Sequence, residues 1–315
     1  MWSWTAARWY CRASRGTWWR PMSVVTLRSD WRHQPVDVRP ASDFERCDGA
    51  SEVRFSRRNG VTAVTHLFQR APCRVLFPNA PADDLPLAVL LTTSGGLAGG
   101  DRVRISVGAQ DAAQAVVTTQ AAEKIYRSLG PETRIDIALT IGPDAWLEWL
   151  PQETILFDRA RLSRRTTAEI QAGGRLLAAE MIVFGRTARG ERLSAGLLHD
   201  RWAVRVDGRL RWIDAIRLEG DIERRLHAPA GFDGAAAIAT AIYVGPDVAS
   251  LLPLARALAL DSDSRAGATV VDGILLARFI GRDARLLRGD LACYLAELRR
   301  AAMGLPARVP RLWQI

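Results

Sequence analysis

Apolar and polar side chains alternate at a period of two through most of this chain from about Glu52 onward. That pattern limits the fold more than any other feature, because only a strand places successive side chains on opposite faces. "RVRISV" puts Val103, Ile105 and Val107 on one side and Arg102, Arg104 and Ser106 on the other. "TRIDIALTIG" does the same with Ile135, Ile137, Leu139 and Ile141. "RWAVRVDGRLRWIDAIRL" reads as two strands joined at Asp207-Gly208, a dipeptide that supplies the positive φ angles of a tight hairpin. Turn signals recur about every ten residues, at Gly108, Gly130-Pro131, Gly142-Pro143-Asp144, Gly173-Gly174, Gly190 and Gly208. Short strands at that spacing predict a mainly β fold, an antiparallel β sandwich or roll. Helical patterns do not alternate with these strands, which disfavours a doubly wound α/β fold.

The C-terminal quarter differs. "GPDVASLLPLARALA" from Gly245 predicts a helix opened by Pro246 and Asp247, "DGILLARFIG" a strand, and "ARLLRGDLACYLAELRRAAMG" an amphipathic helix ending near Gly304. The fold therefore carries a few helices, two of them in this quarter. No Ser/Gly-rich linker and no internal repeat is evident. Residues 51–315 are expected to form a single domain, a β body to about 244 and a mixed α/β end over 245–315, with residues 22–50 leading in.

The first 21 residues stand apart: five of the eleven tryptophans, four arginines and no acid. They lack the continuous apolar core of a secretory signal. They read as a leader outside the fold, with Met22 as the start.

The formal charge of +9 invites a nucleic-acid reading. Yet Lys124 is the only lysine among 43 basic residues, a bias of coding composition, and the arginines alternate with apolar residues as on solvated sheet faces. An acidic protein partner suits this pattern at least as well as nucleic acid. The apolar runs are too short for a membrane helix. Cys11, Cys47, Cys73 and Cys293 are widely spaced and never form CxxC, which suits reduced thiols in a cytoplasmic protein.

The stretch "TSGGLAGGD", Thr93 to Asp101, looks at first like a phosphate cradle. A P-loop needs Lys and Ser or Thr after its last glycine; here Asp101 follows Gly100 and would repel an anion. A strand follows, so no helix N-terminus is available. The residues predict instead a bulged or doubled turn, with Gly95, Gly96, Gly99 and Gly100 as backbone-permissive positions.

His33, His66, His199 and His227 are isolated, so the chain concentrates no imidazole or thiolate for tight metal binding. Carboxylates are better placed. "WLEWLPQETILFD" sets Glu148, Glu153 and Asp158 in an apolar segment, where a carboxylate must be paired, hydrated or functional. Salt bridging with the surplus arginines accounts for them equally well. A hydrolase using Glu148 and Glu153 as a carboxylate pair is the distant alternative.

Five segments together carry a resemblance: "QRAPCRVLFP", "TTSGGLAGGDRV", "VVTTQAAEKIYRS", "LEWLPQETILFD" and the terminal "PRLW". In this order they resemble the urease accessory protein D family, UreD (UreH in some organisms), from about Glu52 to the C-terminus. The resemblance implies a mainly β, non-enzymatic maturation factor of the cytoplasm. It would bind the urease apoprotein and recruit accessory proteins UreF and UreG, the latter a GTPase, for delivery of nickel through an internal polar passage. It implies no tightly bound cofactor, nickel being transient, and no nucleic-acid or membrane partner. On that basis Ser94, Asp101, Thr118, Thr119, Gln120, Glu148, Glu153 and Asp158 are the candidates to line or shape the passage, with Glu180 in "LLAAEMIVFG" added for the same reason as Glu148. Hard oxygen ligands of this kind hold nickel loosely enough to release it. A stand-alone β scaffold that binds some other partner remains the alternative reading.

Overall fold

The structure, a computed structural model, describes residues 46–314. The leader over 1–21 and the lead-in up to 45 lie outside the described residues. Among those described, residues 47 onward form one compact unit.

Two sheets make up this unit. The first holds seven strands: β1 (Asp48–Arg58), β2 (Val61–Arg70), β5 (Arg102–Gln110), β8 (Thr133–Ile141), β11 (Arg161–Ile170), β13 (Ala195–Val206) and β14 (Arg209–Asp221), in the order β14-β13-β11-β8-β5-β1-β2. The second is built on β3 (Cys73–Leu76), β4 (Leu87–Thr92), β6 (Gln114–Thr119), β9 (Trp146–Leu150), β12 (Arg175–Phe184), β15 (Ala237–Val244), β16 (Arg265–Val271) and β17 (Ile274–Gly281), in the order β16-β17-β15-β12-β9-β6-β4-β3. Two three-residue strands, β7 (Glu123–Ile125) and β10 (Thr154–Leu156), pair with each other, and β10 also pairs with β12.

The expectation of an antiparallel sandwich is corrected by the pairing. β1, β5, β8, β11 and β13 are parallel neighbours, and so are β4, β6, β9 and β12. From β4 to β13 the chain moves back and forth between the sheets, so each turn is an arch from one sheet to the other and successive coils stack like a solenoid. The opposite sheet does the work of the crossover helix that parallel strands otherwise need. Antiparallel pairing is confined to the flanks: β1 with β2, β13 with β14, β3 with β4, and β12, β15, β17 and β16 in succession. The Asp207-Gly208 hairpin forms as its residues dictate, with φ of 51° and 73°.

Stacking brings equivalent inward positions into ladders. Val53, Val107, Leu139, Ala168 and Val204 pair in turn across the first sheet, and all are buried. The second sheet is covered on both faces, which explains why all five residues of β9 are buried and why β12 reads as a near-continuous apolar run. Its outer face packs against helices α2 (Val248–Leu260) and α3 (Ala284–Met303) through Trp146, Tyr243, Leu291 and Tyr294. A short helix, α1 (Ile222–His227), follows β14. The Asp283 side chain caps α3 by accepting from the Arg285 and Leu286 amides at 2.8 and 3.1 Å, and Gly304 ends it at φ 65°. Among the described residues no helix is long and apolar enough to cross a membrane.

Candidate functional site: an inter-sheet cavity under three stacked arches

Three arches stack at the edge where second-sheet strands end and first-sheet strands begin. They carry residues 93–101, 120–132 and 151–160, and so hold most of the polar residues singled out in the sequence. Backbone bonds tie each to the next: Leu97 N donates to Lys124 O at 2.8 Å, Tyr126 N to Leu97 O at 2.8 Å, and Glu123 N to Glu153 O at 2.9 Å. The glycines of the first arch are needed for this contact. A Cβ at Gly96, whose φ is 153°, would lie 2.8 Å from Lys124 O, and one at Gly99 would lie 2.7 Å from Pro131 O.

Beneath the arches lies a cavity of about 140 Å³ between the sheets. Val103, Ile105, Ile135 and Ile137 form its first-sheet wall; Thr119, Glu123, Trp149, Gln152, Arg164 and Glu180 supply polar atoms. The apolar ladder explains the charged floor. Val103 pairs with Ile135, Ile135 with Arg164, and Arg164 with Asp200, so the inward position that is aliphatic in two coils becomes cationic in the third and anionic in the fourth.

Arg164 is buried and fully engaged. It grips Asp200 bidentately, Nε to Oδ1 at 2.9 Å and Nη2 to Oδ2 at 2.7 Å, and donates to Glu180 Oε2 at 3.0 Å and Thr154 Oγ1 at 3.1 Å. Glu180 also accepts from Thr166 Oγ1 at 3.2 Å and Trp202 Nε1 at 2.5 Å. Burial alone would lower the guanidinium's pKa, but the Asp200 and Glu180 charges more than reverse this, so Arg164 stays cationic. Burial pushes the Glu180 carboxyl up, and its hydrogen bonds and the Arg164 charge only partly offset that. Glu123, also on the cavity lining, accepts from Thr92 Oγ1 at 3.3 Å. Burial raises it to about 7, against the Thr92 hydrogen bond and the charge of Lys124. The Trp149 indole Nε1 is buried and has no acceptor among the described residues.

Of the residues expected to line a passage, the cavity gathers Thr119, Gln120 and Glu180, together with Gly95. Thr119 Oγ1 accepts from the Gln152 amide at 2.9 Å, and Gln120 O accepts from Gln152 Nε2 at 2.9 Å. The others have separate positions. Ser94 Oγ donates to Gly96 O at 2.9 Å within its turn, and Asp101 accepts from the Cys47 and Ala98 amides at 2.9 and 2.7 Å. Asp158 accepts from Ser194 N and Oγ at 2.8 and 2.7 Å, bonds that hold its pKa low despite partial burial. Thr118 lies on the opposite face of its strand and donates to Leu150 O at 2.6 Å. Glu148 shares that outer face, under α3, whereas Glu153 meets Arg288 at 3.4 Å.

Glu123, Arg164, Asp200, Trp149 and Gln152 were not foreseen. Parity was the available signal for Arg164 and Asp200: each occupies an inward phase, flanked by Leu162 and Thr166 in β11 and by Leu198 and Trp202 in β13. Among the described residues no group of three or more His, Cys, Asp or Glu side chains is placed to hold a metal ion.

The third arch also meets the C-terminus. Gln152 Nε2 donates to Leu312 O at 3.0 Å, Trp313 Nε1 to Leu150 O at 3.0 Å, and Arg288 Nη2 to Trp313 O at 3.0 Å. The segments "LEWLPQETILFD" and "PRLW", some 150 residues apart in the chain, thus form one contact. Residues 48–314 match the family described as UreD urease accessory protein. The chain belongs to the UreD family. It is 43% identical over 286 residues to the urease accessory protein UreD of Magnetococcus marinus, covering 89% of this chain and 98% of that protein. It is 41% identical to a UreD of Rhodopseudomonas palustris strain BisA53, over 90% of this chain and 97% of the relative. Urease accessory protein UreD 1 of Methylobacterium radiotolerans is 43% identical, over 89% and 96%. The UreD match spans all three arches, the charged cavity floor and the C-terminal contact.

Proposed function

We propose that this chain is a non-enzymatic urease accessory protein of the cytoplasm. It acts in urease maturation as a scaffold that binds the urease apoprotein with UreF and UreG and assists GTP-dependent nickel insertion. The cavity beneath the arches is the polar passage for the ion, which is cargo and not a resident cofactor. The observation that carries this reading is the convergence of Thr119, Gln120, Glu123 and Glu180 on one cavity under arches that contain the family segments. Their oxygen donors are hard, few and shared with protein hydrogen bonds, a set that favours passing a divalent cation over retaining it. Arg164 neutralises Asp200 and holds Glu180 in place, so the floor keeps one carboxylate whose charge is not fully matched.

The test is complementation. A urease operon lacking its own D gene would be supplied with this gene, and urease activity and nickel per purified apoprotein would be measured. Restoration by the wild type, and a marked loss with Glu180→Gln or with Ala122→Trp, which would plug the cavity wall, is the expected result. Pull-down of urease by each variant separates failed transfer from failed assembly. Full activation by both variants would remove the passage from the mechanism, and failure of the wild type with soluble expression in a cognate operon would remove the maturation role.

A further inference from the structure

Sheet edges expose unpaired amide and carbonyl groups, and soluble proteins normally blunt them. Three of the four edges here are blunted. β14 is laced with ion pairs, Arg211–Asp272 at 3.1 Å, Asp214–Arg278 at 2.7 Å and Arg217–Glu219 at 2.8 Å. β3 is four residues long. β16 has its Ala268 carbonyl covered by Arg256 Nε of α2 at 3.4 Å.

β2 is less protected: among the described residues its ion pairs, Arg70–Asp48 and His66–Glu52, reach back to β1, and its one irregularity is a bulge at Thr65. It runs for ten residues, pairs among the described residues only with β1, and contains no Asp, Glu, Lys or Pro. Val61, Val64, Leu67 and Phe68 are 66%, 40%, 43% and 44% exposed, a density of open apolar side chains found on no other strand described. The surroundings are basic. Arg54, Arg57, Arg58 and Arg74 are exposed and have no carboxylate partner among the described residues. The nearby acids are already engaged, Asp48 with Arg70 and Arg104 at 2.9 and 3.0 Å, and Glu52 with His66 at 2.9 Å.

We infer that β2 is a docking edge for an extended acidic segment of another protein, which adds as a further strand beside it. Backbone pairing would supply the affinity, Val61, Val64, Leu67 and Phe68 would receive apolar side chains, and the free arginines would select acidic flanks. A second copy of this chain is a poorer occupant. Two β2 strands paired antiparallel about a two-fold axis would set the Arg57-Arg58 end of one copy against the Arg70 and Arg74 end of the other, like charge on like. The inference is independent of the nickel passage.

The probe is a fluorescein-labelled synthetic peptide alternating glutamate and valine, with a lysine–valine counterpart as control, titrated into the full chain while anisotropy is followed. Backbone amide exchange with and without the acidic peptide locates the site. The expected result is saturable binding of the acidic peptide only, weakened by added salt, with new protection confined to residues 61–70. The double variant Val64→Asp/Leu67→Asp and the triple variant Arg54→Gln/Arg57→Gln/Arg58→Gln should each weaken it by about ten-fold or more. Both alter exposed side chains, and an unchanged thermal midpoint checks the fold. Equal binding of the lysine peptide, protection elsewhere, or no binding at all overturns the inference. So does a concentration-dependent dimer that protects the same amides, which would assign the edge to a second copy. Slow exchange in the free monomer at those amides of 61–70 that point away from β1 would assign the edge to residues 1–45 of the chain itself and equally overturn the inference.

Discussion

Arg299 donates from Nε to Glu148 Oε1 at 3.0 Å, and so joins α3 to the centre of the second sheet through two fully buried side chains. Trp146 Nε1 donates to the same oxygen at 3.0 Å, and Asp84 takes Arg299 Nη2 at 2.7 Å. Glu148 Oε2 has no partner among the described residues, and burial pushes this carboxyl up against the pull of Arg299. The role this geometry supports for Glu148 is to anchor the helical layer. Arg299→Met should therefore destabilise the protein by about 3–5 kcal/mol in urea unfolding, because it strands a buried carboxylate. Adding Glu148→Leu should recover part of that loss. A double variant no better than the single would show that the pair contributes more than the desolvation it costs.

Glu123 should give stability a measurable pH dependence. Its folded pKa of about 7 lies above the ordinary 4.5, so the folded state binds the proton more tightly than the unfolded chain. Stability from this group is present in full below about 4.5 and is lost as pH rises through 7. The residue as a whole is only partly buried although its carboxyl group is closely surrounded, which keeps the effect to about 2 kcal/mol. Glu180, also raised by burial, acts with the same sign. Glu123→Gln should flatten the fall in unfolding free energy between pH 5 and 7.5, and an unaltered slope would refute this assignment.

Gly96 should not tolerate a side chain. Alanine there would meet Lys124 O at 2.8 Å with φ at 153°, and the arch would have to shift from its neighbour. The expected cost is about 2–3 kcal/mol by thermal or urea unfolding. Gly60→Ala, at φ 83° with nothing within 4 Å, is the control for backbone strain without a clash.

Trp313 is predicted to close the core. It is buried, and its Nε1 bonds to Leu150 O at 3.0 Å. Trp313→Ala should cost about 3–5 kcal/mol, and Trp313→Phe less, since the ring is largely retained while the hydrogen bond is lost. Equal losses in both would make the hydrogen bond the dominant contribution.

Much of the fold was legible from local pattern. Alternation placed Val103, Ile135, Ile137 and Leu139 inward, the Asp-Gly dipeptide made its hairpin, and Gly304 ended the last helix. These outcomes depend on residues within a turn or two of one another, where steric and hydrogen-bonding preferences suffice. Strand partners were another matter. Period-two alternation assigns a side to each residue but names no neighbour, and Gly142-Pro143-Asp144 serves an arch between sheets as readily as a hairpin within one. The same limit hid the candidate site. Glu148 and Trp149 are adjacent in the chain, yet one faces α3 and the other the cavity. Arg164 and Asp200, 36 residues apart, meet only because stacked coils set them in register. Parallel register is settled by packing across the whole stack, so only the tertiary structure decided which charges share the cavity and which secure the helices.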